Sequence, residues 1–304
     1  MKDDSQLSLS GWNEVAASGV AVRIVDRFGL QVSGPDAERY LNGQVTNDVR
    51  RATEERAIYA AITNAKGQME GDAWIRRGSE GSFLLDAPLS LEGTLPGRLE
   101  RYAIADDVSF ERVEAPAWHI FGGSAAAEAG VGRFGMPGYD CENQSAGLSE
   151  MTALEAERIR VLMGLPRWDA DLVSGMLLPD AGIDPIAVSY DKGCYIGQEV
   201  ISRIRRAGKT NKKLTYLVAK HSVESVVEEN LAGEELFSDE GIAVGTITSA
   251  AWHPRLDRWA AIAYVKKAAF DRATAGFFLE ASPREEHLFF TEDPAPYKAK
   301  SADV

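Results

Sequence analysis

The chain has 304 residues, 45% of them hydrophobic and 26% charged, with a formal net charge of -13. That is an ordinary globular profile, long enough for two or three domains. It argues against a protein that wraps nucleic acid or lies on anionic lipid, since both need a basic face.

In chain order, "MKDDSQLSLSGW" puts an acidic pair where a secretory signal would be basic, and no apolar run follows it. "VAVRIV" from Val20 alternates like a half-buried strand. "GLQVSGPDAERYLNGQV" reads as strand, turn and helix, with Pro35 in the first turn, Tyr40 and Leu41 on the apolar side and Gly43 as the stop. "AAITNAKGQMEGDAWIRR" reads as two strands around a turn at Lys66-Gly67. "TALEAERIRVLMGLP" predicts a helix. Thr152 and Glu155 make a capping box, Leu154, Ile159, Leu162 and Met163 an apolar stripe, and Gly164 with Pro166 the end.

"RIRRAGKTNKK" (Arg203 to Lys213) is a local basic stretch in an acidic chain. After about Ala207 the pattern turns β-rich, through "KLTYLVAK", "IAVGTITSA", "WAAIAYVKK" and "GFFLEAS", and predicts a small barrel or sandwich. The tail from Glu292 is expected to be loosely held. No stretch reaches the roughly 20 apolar residues of a membrane helix. Two cysteines are too few for a disulfide framework, and a cytoplasmic location is expected. The four histidines, His119, His221, His253 and His287, show no metal-ligand spacing.

Cys194 sits in "DKGCYIGQEV", among small and charged residues. Lys192, Arg203, Arg205 and Arg206 surround it in sequence, and the helix expected to start just after it would favour thiolate. Gly193 and Gly197 would allow a tight turn and a close ligand. The other reading is a small packed hydrophobe, which composition alone favours. "QVTNDV" offers Gln44, Thr46, Asn47 and Asp48 either as a polar lining for a heterocycle or as turn chemistry. Asp72 is either a general base or ligand carboxylate, or a solvated strand end. Phe28, Trp168 and Trp252 either stack on a flat ligand or belong to the core.

"KGCYIGQEVISRIRRAG" resembles the signature of the YgfZ-type folate-binding proteins, bacterial relatives of the T-protein of the glycine cleavage system. The match falls on Lys192, Gly193, Cys194, Tyr195, Gly197, Gln198 and Glu199. "LQVSGPDAERYLNGQVTNDV", "ITNAKGQMEGD", "RVLMGLPRWDADL" and "GTITSAAWHPRLDRWAAIAYV" resemble further family blocks in the same order. The resemblance implies an α+β body of two intertwined antiparallel-sheet subdomains with helices over residues 1–206, then a C-terminal β-barrel over 207–304. It implies an accessory protein that binds a reduced folate and supports assembly or repair of iron–sulfur clusters in client enzymes, tRNA-modifying ones included. Cys194 would be the functional thiol, with Lys192, Gly193, Tyr195, Gly197, Gln198, Glu199 and Arg203 as its motif. Tetrahydrofolate or a derivative would sit near Phe28, Asn47, Asn64, Asp72, Tyr102 and Trp168. Its partners would be iron–sulfur client enzymes or assembly factors, with no stable nucleic-acid binding and no membrane.

Two departures weigh on transferase activity. The T-protein's paired aspartates become Gly71 and Asp72, and its pterin-holding glutamate becomes Leu162. Leucine cannot accept a hydrogen bond, and an unpaired ligand donor costs about 1–3 kcal/mol, so weakened folate binding is expected. A tetrahydrofolate-dependent aminomethyltransferase with Asp72 as its acid/base group is the alternative. A degenerate paralogue binding another anion or heterocycle is the third reading.

Overall fold

The computed structural model describes residues 19–123, 132–143, 147–208, 210–220, 231–253, 257–270, 276–280 and 288–291. The expected loose tail from Glu292, the N-terminal stretch, His221 and His287 lie outside these residues. The chain begins in one sheet, builds a second, and then returns to the first. Strand β1 (Val20–Arg23) is followed by β2 (Arg27–Ser33), helix α1 (Ala37–Gln44), β3 (Ile58–Thr63), β4 (Met69–Arg77), β5 (Phe83–Pro88), α2 (Leu95–Glu100) and β6 (Ser109–Val113). Strands β2 to β6 form an antiparallel five-stranded sheet in the order β3-β4-β5-β2-β6. The chain then gives β7 (Trp118–Phe121), β8 (Gly138–Cys141) and β9 (Ser149–Met151), which join β1 in the order β8-β7-β1-β9. The β1–β9 pair is parallel, and the other pairs of this sheet are antiparallel.

Helix α3 (Ala153–Leu162) leads out of the second sheet. Short helices α4 (Leu178–Ala181) and α5 (Asp184–Ala187) follow, then α6 (Gln198–Ala207). The last part of the chain is a closed antiparallel barrel of β10 (Lys212–Ala219), β11 (Glu235–Phe237), β12 (Ala243–His253), β13 (Arg258–Lys266), β14 (Phe277–Phe278) and β15 (Leu288–Thr291). This is the α+β body followed by a β-barrel that the sequence predicts. Among the described residues no helix is long and apolar enough to cross a membrane.

Local signals were met unevenly. Strands β3 and β4 flank the Lys66-Gly67 turn, where Gly67 takes a φ of +71°. The Thr152–Glu155 capping box forms in both directions. Gly43 does not end α1, which runs to Gln44, and Pro35 precedes its N-cap, Asp36. Leu154 leaves the predicted stripe and is half exposed, while the charged Arg160 is buried in its place. The reason is tertiary: α3 turns Ala156 and Ile159 toward the four-stranded sheet and Val161 and Leu162 toward the barrel.

Candidate functional site

A cavity of about 690 Å³ opens where the two sheets meet the start of α3. One wall comes from the β1–β2 connection, with Arg23 and Arg27. The floor comes from β3 and β4, with Tyr59, Asp72 and Trp74. The far wall is the α3 segment, with Glu157, Arg160 and Trp168. Its size and mixed lining suit a small molecule with both an apolar ring and polar edges.

Asp72 lies at the floor and is almost fully buried. The Tyr59 hydroxyl donates to its Oδ2 at 2.6 Å, while its Oδ1 has no protein partner. Burial drives its pKa upward, opposed by Arg27 and the Tyr59 hydrogen bond. A buried carboxylate oxygen left unpaired at the wall of a cavity is an acceptor waiting for a ligand donor. Strand alternation explains the choice of residue. Gly71 points to the opposite face, where a Cβ would lie 2.8 Å from Leu91 Cδ1, so a second carboxylate there would meet the core and not the cavity.

Two charged networks frame the site. In the first, Asp86 accepts from Arg27 Nε at 2.6 Å and from Arg133, and Arg133 also donates to Asp140 at 2.7 and 2.9 Å. Asp86 is on β5 and Asp140 on β8, so this clamp ties one sheet to the other. His119 Nδ1 lies 2.8 Å from Asp140 Oδ1. Burial lowers the His119 pKa, and the neutral ring donates from Nδ1 to that carboxylate. In the second network, Arg160 forks onto Glu157 at 2.6 and 2.9 Å and reaches Asp171 at 2.7 Å. Asp171 also accepts from the backbone N–H of Arg167 and the hydroxyls of Thr248 and Ser249 on β12. Burial would raise the Glu157 pKa, but Arg160 and Arg167 outweigh it and hold it below the usual range.

The predicted ligand residues divide. Asp72 and Trp168 line the cavity. Phe28 is fully buried in the core of the five-stranded sheet. Asn64 closes the β3–β4 turn through bonds from the Lys66 and Gln68 backbone, and Tyr102 is exposed with the Arg98 guanidinium 4.3 Å over its ring. Leu162, expected at the ligand, packs against Val218, Ala251, Ala260 and Ile262 at the barrel. The carboxylate that α3 brings to the cavity is Glu157, more than a turn earlier, so the reason given for weakened binding falls away. Arg27, Arg133 and Asp86 were missed in the sequence. Their pairing spans two sheets, and only the odd placement of Asp86 within the apolar run "FLLDAP" could have signalled it.

The Cys194 segment is a second locus, and none of its motif residues lines the cavity. Cys194 is exposed. Its loop is pinned from both sides: Ile196 N–H donates to Gly43 O at 3.1 Å, and Thr63 Oγ1 donates to Ile196 O at 2.6 Å. Gly197 takes a φ of +89°, and a Cβ there would stand 2.6 Å from Asn64 O, so only glycine fits. Gly193 faces open space and has no such constraint. Gln198 and Glu199 open α6, and Arg203 is exposed on it. Lys192 is buried and donates to Val45 O and Asn47 O at 2.7 and 2.8 Å. Burial brings its pKa down to about 7, against the pull of Asp48. Tyr195 is buried beside it, its hydroxyl without a partner and its pKa pushed up to about 12 by burial. Asn47 links the loci. It receives Lys192 on its carbonyl, and its Nδ2 donates to Tyr59 O and Ile186 O, both on residues that line the cavity. Cys141, partly buried on β8, has its thiol pushed up by burial, Asp140 and Glu142.

No protein-family profile matches the chain. It is 25% identical over 227 residues to the mitochondrial iron-sulfur cluster assembly factor IBA57 homolog of Neurospora crassa, covering 63% of this chain and 52% of that protein. It is 29% identical over 224 residues to the tRNA-modifying protein YgfZ of Escherichia fergusonii, covering 62% of this chain and 68% of that one. The matched region thus spans about half the length of the Neurospora relative. The crystal structure of glycine cleavage system aminomethyltransferase T from Bartonella henselae shares the fold, with a TM-score of 0.71 at 18% identity over 84% of this chain and 80% of that one. The chain is thus similar in sequence to YgfZ and IBA57 proteins and shares its fold with the glycine cleavage T-protein.

Proposed function

We propose that the protein is an accessory factor for assembly or repair of iron–sulfur clusters in client enzymes, tRNA-modifying ones included. It works in the cytoplasm, with residues 1–206 as the ligand-binding body and 207–304 as the barrel domain. The observation that carries this reading is the exposed Cys194 thiol on a loop whose backbone is pinned to the body. Thiolates are the protein ligands of iron–sulfur clusters. One thiol cannot hold a cluster, so Cys194 shares the cargo with a client or a second subunit. The names of the Neurospora and Escherichia relatives support the same role.

The cavity then takes a reduced folate. Asp72 Oδ1 accepts from the amino-pyrimidine edge, Trp168 flanks the ring, and Glu157 with Arg160 borders it. Asp72 beside Tyr59 also favours a second reading, folate-dependent aminomethyl transfer with Asp72 as the acid/base group. Gly71 weighs against it, because the aspartate pair of the T-proteins is reduced here to Asp72.

Complementation tests the main reading. In cells lacking the gene, Cys194→Ala is expected to leave iron–sulfur enzyme activity unrestored while the purified variant keeps the wild-type melting temperature. Full restoration would return Cys194 to a packing role. Cys194 should also alkylate faster than Cys141, whose thiol is partly buried and pushed toward the neutral form. Calorimetric titration with tetrahydrofolate tests the cavity, with saturable binding expected in the wild type and at least a tenfold loss in Asp72→Asn. A transfer assay with tetrahydrofolate and an aminomethylated carrier separates the second reading, which requires turnover that Asp72→Asn abolishes.

A further inference from the structure

We infer that the C-terminal half of α6 and the adjoining barrel edge form a docking face for an acidic surface patch of a partner protein, placed beside Cys194. The inference rests on the accessory-factor reading, because it names the chemistry by which a client is held next to the thiol. Arg203, Arg205 and Arg206 are exposed on α6, and Lys212, Lys266 and Lys267 are exposed at the end of the barrel. These two groups belong to one surface. Lys267 donates from Nζ to Gly208 O at the α6 C-cap, and its backbone N–H donates to Asn211 O at 2.9 Å. Lys212 and Lys266 stand directly opposite each other across the β10–β13 pair.

This arrangement is costly in isolation. Like charges directly opposed on adjacent strands destabilise a sheet. Among the described residues, no carboxylate forms an ion pair with any of the six cations, in a chain whose net charge is -13. The helix macrodipole accounts for Arg205, Arg206 and Lys267 near the C-terminus of α6. It does not account for Arg203, one turn earlier, or for Lys212 facing Lys266. Two of the cations are held ready by stacking, with the Arg205 guanidinium 3.6 Å above the Tyr190 ring and Lys212 Nζ 4.5 Å above Tyr264. Ordering those side chains in advance lowers the entropic cost of docking.

The size of the patch chooses the partner. Helix α6 has ten residues and a length of about 15 Å, which fits within one side of a standard protein interface of about 800 Å². Without these six cations the rest of the chain carries a formal charge of -19 (-13 less 6), so a nucleic acid that extends beyond the patch meets a net negative protein. Cys194 lies four residues before α6 begins, and Arg205 reaches back over the ring of Tyr190, four residues before Cys194, so a client seated along the helix meets the thiol segment at its edge.

The test uses a fluorescently labelled deca-glutamate peptide and the full-length protein at low ionic strength. Wild type is expected to bind the peptide. The triple variant Arg203→Glu/Arg206→Glu/Lys212→Glu should lose at least tenfold in affinity, whereas Arg112→Glu, an exposed arginine on β6, should not. Bulk tRNA is run in parallel, and tighter binding of tRNA with the same dependence on the three residues would overturn the acidic-protein assignment. A second readout is the ratio of Cys194 modification rates with a dianionic and a neutral aromatic disulfide. That ratio should fall at least fivefold in the triple variant, and in wild type on adding 0.5 M salt, as screening shortens to a few ångströms. An unchanged wild-type ratio in salt would overturn the placement beside Cys194 even if the variant failed to fold. Cys194→Ala should bind the peptide as wild type does, so loss of client support in that variant reports on the accessory role and not on the docking face.

Discussion

Asp72 carries a cost that its position at the cavity floor explains. Burial raises its pKa above the ordinary 3.8, so the folded protein holds that proton more tightly than the unfolded chain does. Below about pH 3.8 both states are protonated and the group costs folding nothing. As pH rises through the raised folded value, the carboxylate ionises inside the protein and stability falls. Asp72→Asn is therefore expected to raise the urea midpoint at pH 7, because it removes a group whose ionised form burial disfavours. The gain should shrink as the pH is lowered toward 4.5, and a variant no more stable than wild type at pH 7 would show that the buried charge is already satisfied. A gain in stability together with lost folate binding is the pattern of a residue kept for its ligand. At this scale the sequence was partly legible. Gly197 was readable as a turn glycine because its positive φ is a local property, whereas Asp72 stayed open between a ligand carboxylate and a solvated strand end until its burial removed the second reading. Phe28, Asn64 and Tyr102 were not readable. Whether an aromatic or an amide faces a cavity depends on which sheet face it occupies, and neighbouring residues do not reveal that.

Among the elements, α3 shows most plainly where local reading ends. Its N-terminus is fixed by a reciprocal pair of hydrogen bonds four residues long, and the Thr152–Glu155 box was legible for that reason. Its faces were not, because the helix is squeezed between a sheet and a barrel and therefore buries an arginine along with its apolar residues. Arg160 is tolerated there because Glu157 and Asp171 neutralise it and Ser249 completes its bonding. Removing one partner of such a pair costs about 3–5 kcal/mol, much more than an exposed pair is worth. Asp171→Ala is accordingly expected to lower unfolding free energy by about 3 kcal/mol in chemical denaturation, the low end of the range, since Glu157 stays. Ser249→Ala should cost about 1 kcal/mol. Equal effects of the two would mean that the hydroxyl, and not the carboxylate, holds the barrel strand to α3.

Over the whole molecule, the α+β body and the barrel were readable from the change in periodicity near Ala207 and from the family resemblance, while the seam between the two sheets was not. That seam is closed by Arg133, which bridges Asp86 on one sheet and Asp140 on the other. Arg133→Met strands both carboxylates in part, and the loss should fall unevenly, because Asp86 keeps the cationic Arg27 while Asp140 keeps the neutral His119. Hydrogen exchange is expected to quicken in β7 and β8 while the five-stranded sheet stays protected; uniform loss of protection would mean that the sheets open as a unit. The order in which the chain visits the two sheets has a consequence for synthesis. Strand β1 pairs with β7, about a hundred residues further on, and with β9 later still. A ribosome emits the five-stranded sheet whole before the partners of β1 exist, so that sheet can close first while Val20 to Arg23 waits with both edges bare. Contacts of such long sequence separation form slowly and leave a strand open to the wrong partner in the meantime. The N-terminal strand is thus locked long after it is made, and its arrival at β7 and β9 is the event that sets the β1–β2 wall of the cavity in place.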